Sequence, residues 1–178
     1  MSKPYSILMQ KVKESSSLKD SLTDFGMVCM GISLPDMEIK DLPSRNWSDE
    51  NGEDTYIPPT LPLKPYNITI RIAYKGEPNT AWDKMDFLLD YLTGKDGSGV
   101  ETKLFVPHDG IGRTCRLFKI GKPTLTKGNL DDIMEFELTM KVDNPLSRVT
   151  PVKGIGETIT GLTEKVLRVG RYIIKQDR

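Results

Sequence analysis

An α+β fold built mostly of antiparallel strands, as a sandwich or split barrel flanked by one amphipathic helix, is predicted by three features of this 178-residue sequence. Two segments, within residues 66–76 and 134–142, alternate apolar and polar residues with the period of two of a half-buried strand. A helical apolar stripe is sustained over residues 80–93. No strand–helix–strand rhythm repeats along the chain, which disfavours a parallel sheet.

Taken in order, residues 1–24 hold one short apolar stretch, Tyr5 to Met9, and then a polar run with three consecutive serines, and read as a loosely structured N-terminal arm. Phe25 to Leu34 is apolar and strand-like, ended by the turn pair Pro35-Asp36. Residues 43–65 carry five prolines and the acidic run Asp49-Glu50-Asn51-Gly52-Glu53-Asp54. Too many amide donors are missing there for a helix or a central strand. A long surface excursion is expected, with Trp47 and Tyr56 to dock it. Ile68, Ile70, Ile72 and Tyr74 then alternate with Thr69, Arg71 and Ala73. Thr80 and Asp83 offer a capping box for a helix whose stripe is Ala81, Met85, Leu88, Leu89 and Leu92, stopped by Gly94. Residues 102–106 and 113–120 read as a hairpin across Pro107-His108-Asp109-Gly110-Ile111-Gly112. Met134, Phe136, Leu138, Met140 and Val142 alternate with Glu135, Glu137, Thr139 and Lys141 and stop at Asn144-Pro145. Beyond Arg148 the apolar residues thin out; residues 166–174 are apolar again, and strand and helix both stay open there. The expected organisation is an N-terminal arm (1–24), a β domain (25–148) with its helix at 80–93, and a C-terminal arm (149–178).

Lys+Arg and Asp+Glu number 25 each, and the resulting zero net charge argues against a protein whose main work is holding nucleic acid. The two cysteines, Cys29 and Cys115, are far apart and lie in apolar stretches, so buried free thiols are the simpler expectation over a disulfide or a zinc pair. The N-terminus lacks the apolar stretch of a signal peptide, and no run approaches a membrane span, so a protein outside the membrane is expected.

Signatures of chemistry are sparse. His108, the single histidine, sits in a turn, and no Gly-x-Ser-x-Gly elbow accompanies it; Gly97-Ser98-Gly99 reads as a linker. The acidic run from Asp49 fails calcium-loop spacing, with Asp54 where glycine is needed and Thr60 where glutamate is needed. Gly110-x-Gly112 and Gly154-x-Gly156 lack the third glycine of a dinucleotide fingerprint, and no phosphate loop is present. Arg113, Arg116 and Lys119 suggest a basic surface, but strict alternation divides them between two faces, so ion pairs with Glu135 and Glu137 are expected instead. No catalytic residue, cofactor site or metal ligand is assigned. Two other functional classes stay open: a monomeric carbohydrate- or protein-binding module using Trp47 and Tyr56, with Trp82 expected to be packed, and a hydrolase using paired carboxylates, which have no sequence signature.

The block from Pro43 to Gly52, the Tyr56-Ile57-Pro58 step, the strand at residues 66–76, the helix ending Phe87-Leu88-Leu89-Asp90-Tyr91-Leu92 and the closing Lys141-Val142-Asp143-Asn144-Pro145 together resemble structural tail proteins of tailed bacteriophages and prophages, particularly distal-tail or tail-tube-like components. The resemblance covers residues 25–148. It implies a non-enzymatic subunit of a ring, commonly of six, with arms reaching neighbouring subunits and other tail or baseplate proteins. It also implies residence in the virion tail after assembly in the host cytoplasm, and DNA passage without sequence-specific binding. A neutral or acidic channel drawing on Glu135 and Glu137 is expected if their strand faces inward. The chain is too short for a large second domain, which leaves tube, terminator and connector roles open beside the distal-tail one.

Overall fold

The computed structural model describes residues 5–13 and 16–166. In chain order the elements are β1 (Leu8–Lys11), β2 (Lys19–Asp20), β3 (Met27–Ser33), β4 (Ser44–Arg45), β5 (Asp54–Thr55), β6 (Tyr66–Gly76), α1 (Ala81–Thr93), β7 (Thr102–Val106), β8 (Ile111–Ile120), β9 (Thr124–Lys127), β10 (Asp132–Val142), β11 (Ser147–Lys153) and β12 (Ile159–Val166). The fold is mostly antiparallel β with one helix, as its alternating segments predict.

Strand order in the main sheet is β2-β1-β7-β8-β10-β6-β3, with β9 also paired to β10. The spine is β6 against β10, antiparallel over all eleven residues of each, from Asp132↔Gly76 to Val142↔Tyr66. One side of the pair is apolar, and there Ile68, Ile70, Ile72, Met134, Phe136, Leu138 and Met140 are all buried. β8 serves two halves of the sheet. Its first half pairs with β7 and its second with β10. A strand that changes partners along its length lets a twisted sheet fold over on itself. Closure comes at the other edge, where the Cys29 amide on β3 donates to the Tyr5 carbonyl (2.9 Å) just ahead of β1. The result is a split barrel.

Helix α1 connects β6 to β7 and covers the barrel interior with Ala81, Met85, Leu88, Tyr91 and Leu92. Its C-terminus is as expected, with Gly94 in the left-handed region (φ 77°) and its amide donating to the Tyr91 carbonyl. Its N-terminus departs from expectation. Thr80 makes no side-chain cap; its hydroxyl donates to the Glu77 carbonyl (2.6 Å) and meets the Tyr74 hydroxyl (2.9 Å). The turn before it is instead held by buried Asp132, which accepts from the amide of Asn79, itself at φ 66°.

Parts of both segments expected as arms are ordered into strands where they are described. Within 1–24, β1 lies between β2 and β7 inside the sheet, and Ile7, Leu8 and Met9 are buried. Hydrogen bonds from neighbouring strands impose order on a segment too short and polar to show a pattern of its own. Within 149–178, β11 and β12 form a hairpin that packs Val149 and Leu162 on Leu8 and Phe105, the outward-facing side of β1 and β7. The Leu162 amide donates to Gln10 and its carbonyl accepts from Lys103, each at 2.8 Å. Residues 167–178, with most of the undecided stretch, fall outside the described residues.

Candidate interaction surfaces

Residues 34–65 leave the barrel at the end of β3 and return at the start of β6 as a two-stranded ribbon. Ile39 bridges Leu63, the Lys40 amide donates to Pro62, the Lys64 amide donates to Glu38, and the Tyr56 amide donates to Pro43. β4 and β5 then pair as Ser44↔Thr55 and Arg45↔Asp54 below a tip at residues 46–53. Lys64 ties the base by bonding Glu38 at 3.2 Å and Asp41 at 3.6 Å. A prolonged ribbon of two strands has no third layer to bury its side chains. Leu34, Met37, Ile39, Trp47, Tyr56, Ile57 and Leu61 are accordingly all exposed, Ile57 at 72%. From Leu34 to Arg45 the ribbon's reach is at most about 40 Å at strand rise.

The outer face of the β3–β6–β10–β8 sheet is a second surface. Glu135, Glu137 and Lys141 of β10 lie beside Ala73, Arg71 and Asn67 of β6. The expected pairing of Arg113, Arg116 and Lys119 with Glu135 and Glu137 does not form. Arg113 donates to the Tyr66 hydroxyl (2.6 Å) and the Gly112 carbonyl, Arg116 pairs with Asp143 (2.9 Å), and Glu137 meets Arg71 at 3.9 Å. The reason is register, because β8 sets Lys119 opposite Thr139 and Arg116 opposite Lys141, further along β10 than either glutamate. Between Thr139↔Lys119 and Met140↔Leu117 the register slips by one, leaving Phe118 as the extra residue of β8. Parity resets there, so Arg116 and Lys119, separated by strict alternation, share the outer face with Lys141. Phe118 is 55% exposed, and the Lys141 ammonium stands 5.9 Å from its ring centroid. Nothing in an unaligned sequence marks such a slip.

Other candidates separate. His108 is exposed beside Asp109 (3.1 Å) and against the Tyr5 ring, its centroid 3.8 Å away, with no serine in that arrangement. Cys29 and Cys115 are buried free thiols in the main core. Burial pushes Cys29 up, partly offset by its bond to the Gly31 carbonyl, and pushes Cys115 up to about 12. Trp82, expected to pack, is half exposed because the buried stripe of α1 runs through Ala81, Met85, Leu88 and Leu92 on another side. Trp47 and Tyr56 are both exposed on the arm.

Three open clefts of about 220–230 Å³ mark the surface, each below the volume usual for enclosing a small-molecule ligand. One lies on the outer face at Arg71, Glu135 and Glu137; one lies between β8 and the C-terminal hairpin at Arg116, Asp143 and Glu164; and one is lined by Asp24, Phe25, Phe87 and Tyr91 beside α1. Sequence reading missed a further feature in the barrel. Lys11 is 1% exposed, its ammonium lies 4.4 Å from the Tyr91 ring centroid, and no hydrogen-bond acceptor meets it among the described residues. Burial lowers its pKa, with Asp96 and Cys115 opposing. Burial likewise raises Tyr91, reinforced by Asp96 and Asp24.

No protein-family model matches the chain, and no curated protein matches it. Among solved structures it is similar to the Dit protein (gp 19.1) of phage SPP1, described as a paradigm of the hub adsorption apparatus in phages that infect Gram-positive bacteria. The identity is 13%, the match covers 90% of this chain and 74% of that one, and the TM-score is 0.45. Among the described residues no helix is long and apolar enough to cross a membrane.

Proposed function

We propose that this chain is a non-enzymatic structural subunit of a phage tail, of the distal-tail or tube-like ring class, that works by joining copies of itself and neighbouring tail or baseplate proteins. The observation that carries the reading is the ribbon at residues 34–65, which holds seven exposed large apolar side chains with no layer of its own chain over them. Apolar surface displayed on a projecting element is a mark of a partner surface. The residues behind the tail-protein resemblance lie in this same ribbon, in β6, in α1 and at the end of β10, which ties the resemblance to the element that needs a partner. The proposed setting is a virion tail in which DNA passes without base-specific contacts. A channel lined by the β10 face would be of mixed charge, the neutral of the two expected linings, because Arg71, Lys119 and Lys141 share that face with Glu135 and Glu137.

Light scattering across a concentration series, with negative-stain images of any large species, tests the proposal. Rings or tubes that are lost in Trp47→Ser/Ile57→Ser, with the monomer's melting point unchanged, are the expected result. A chain that remains monomeric at every concentration and gives no larger species overturns self-assembly. Binding of a glycan array by that monomer, abolished by Trp47→Ser, would establish the binding-module reading in its place.

A further inference from the structure

The acidic tip of the ribbon and the patch around Phe118 are opposite in charge and alike in carrying exposed aromatic surface. At the tip, Asp49, Glu50, Glu53 and Asp54 stand against Arg45, a net of −3 over residues 44–56, with Trp47 and Tyr56 exposed beside them. Within the tip, Glu53 accepts from the Ser44 hydroxyl. On the barrel, Asp143 neutralises Arg116, while Lys119 and Lys141 have no ion-pair partner among the described residues and flank the exposed ring of Phe118. The tip and Phe118 are both open to solvent within one chain.

We infer that the ribbon tip of one copy docks on the Arg116–Phe118–Lys119–Lys141 face of a second copy. This inference rests on the self-assembly reading above. The occupant follows from charge, because a net negative, aromatic-bearing tip complements two unmatched lysines around a ring. It also follows from reach. A folded chain of this length has a radius of gyration of roughly 16 Å, so a ribbon of at most about 40 Å is long enough to leave one body and reach the surface of an adjoining copy. Donor and acceptor surfaces are different patches of the same chain, so the contact is heterologous and propagates around a ring or along a filament. The β8 bulge is what creates the acceptor, since without the extra residue Arg116 and Lys119 would face opposite sides.

Charge reversal on the full-length protein tests it. Lys119→Glu/Lys141→Glu and Asp49→Lys/Glu50→Lys are each expected to raise the concentration for half-association at least tenfold, and the four-fold combination to return it to within about threefold of wild type. Added salt should weaken wild-type association. Phe118→Ser supplies an uncharged variant, expected to weaken assembly, and far-UV circular dichroism checks that each protein is folded. If wild type assembles while either reversal assembles equally well, or the combination stays as weak as its parents, the docking inference is overturned and the self-assembly reading stands. If wild type does not assemble at all, both fall together.

Discussion

Lys11 lies on β1 with its stem inside the barrel and its ammonium against the Tyr91 ring, and replacing it with methionine tests how that charge is accommodated. Taking an ammonium out of water costs several kcal/mol even after the protein relaxes. The ring contact returns about 2 kcal/mol when desolvated, and no acceptor completes the hydrogen bonding. Methionine preserves most of the packed stem and removes the charge, so Lys11→Met should stabilise the fold by about 1–2 kcal/mol. In a chain of this size that corresponds to a rise in Tm of about 3–6 °C. The pH dependence has a definite sign. Burial lowers the folded-state pKa of Lys11, so between that value and its ordinary 10.5 the unfolded chain binds more protons and this group's contribution to stability improves as pH rises. Tyr91 and Cys115, both raised by burial, act oppositely at alkaline pH. The advantage of Lys11→Met in urea unfolding should therefore shrink as pH rises toward 10.5. A variant less stable than wild type by more than about 1 kcal/mol at neutral pH would refute the reasoning, since it would require the ammonium to be fully satisfied in the fold.

Three further outcomes are expected. Leu88→Ala removes the 1%-exposed side chain with which α1 covers the barrel and should cost about 3 kcal/mol in urea unfolding, with less than 1 kcal/mol contradicting that placement. Gly112 lies where any Cβ would collide with the Val149 carbonyl, so Gly112→Ala should loosen the β11–β12 hairpin, read as faster amide exchange at Leu162 while β6 and β10 amides keep their protection. Cys29 and Cys115 should both resist maleimide in the folded protein at about pH 8 and react fully in urea, because burial withholds the thiolates; rapid labelling of either without denaturant would show that its strand opens.

The period-two pattern of Ile68 to Tyr74 and Met134 to Val142, the stripe of α1 and the glycine stop at Gly94 are local properties of the chain, and each predicts its element because a side chain's face depends on a few neighbours along the backbone. The proline spacing and acidic run of residues 43–65 likewise sufficed to expel that segment to the surface. The order of β1 came from elsewhere: three or four polar and apolar residues become a strand only when β2 and β7 lie on either side, and the same pairing buries Lys11. The slip at Phe118, which gathers Arg116, Lys119 and Lys141 on one face, depends on how β8 leaves β7 to meet β10, residues distant in sequence. Periodicity along a strand thus determined which residues could share a face. Register between strands, set by hydrogen bonds and packing over long sequence separations, decided which charges stand together on the surface.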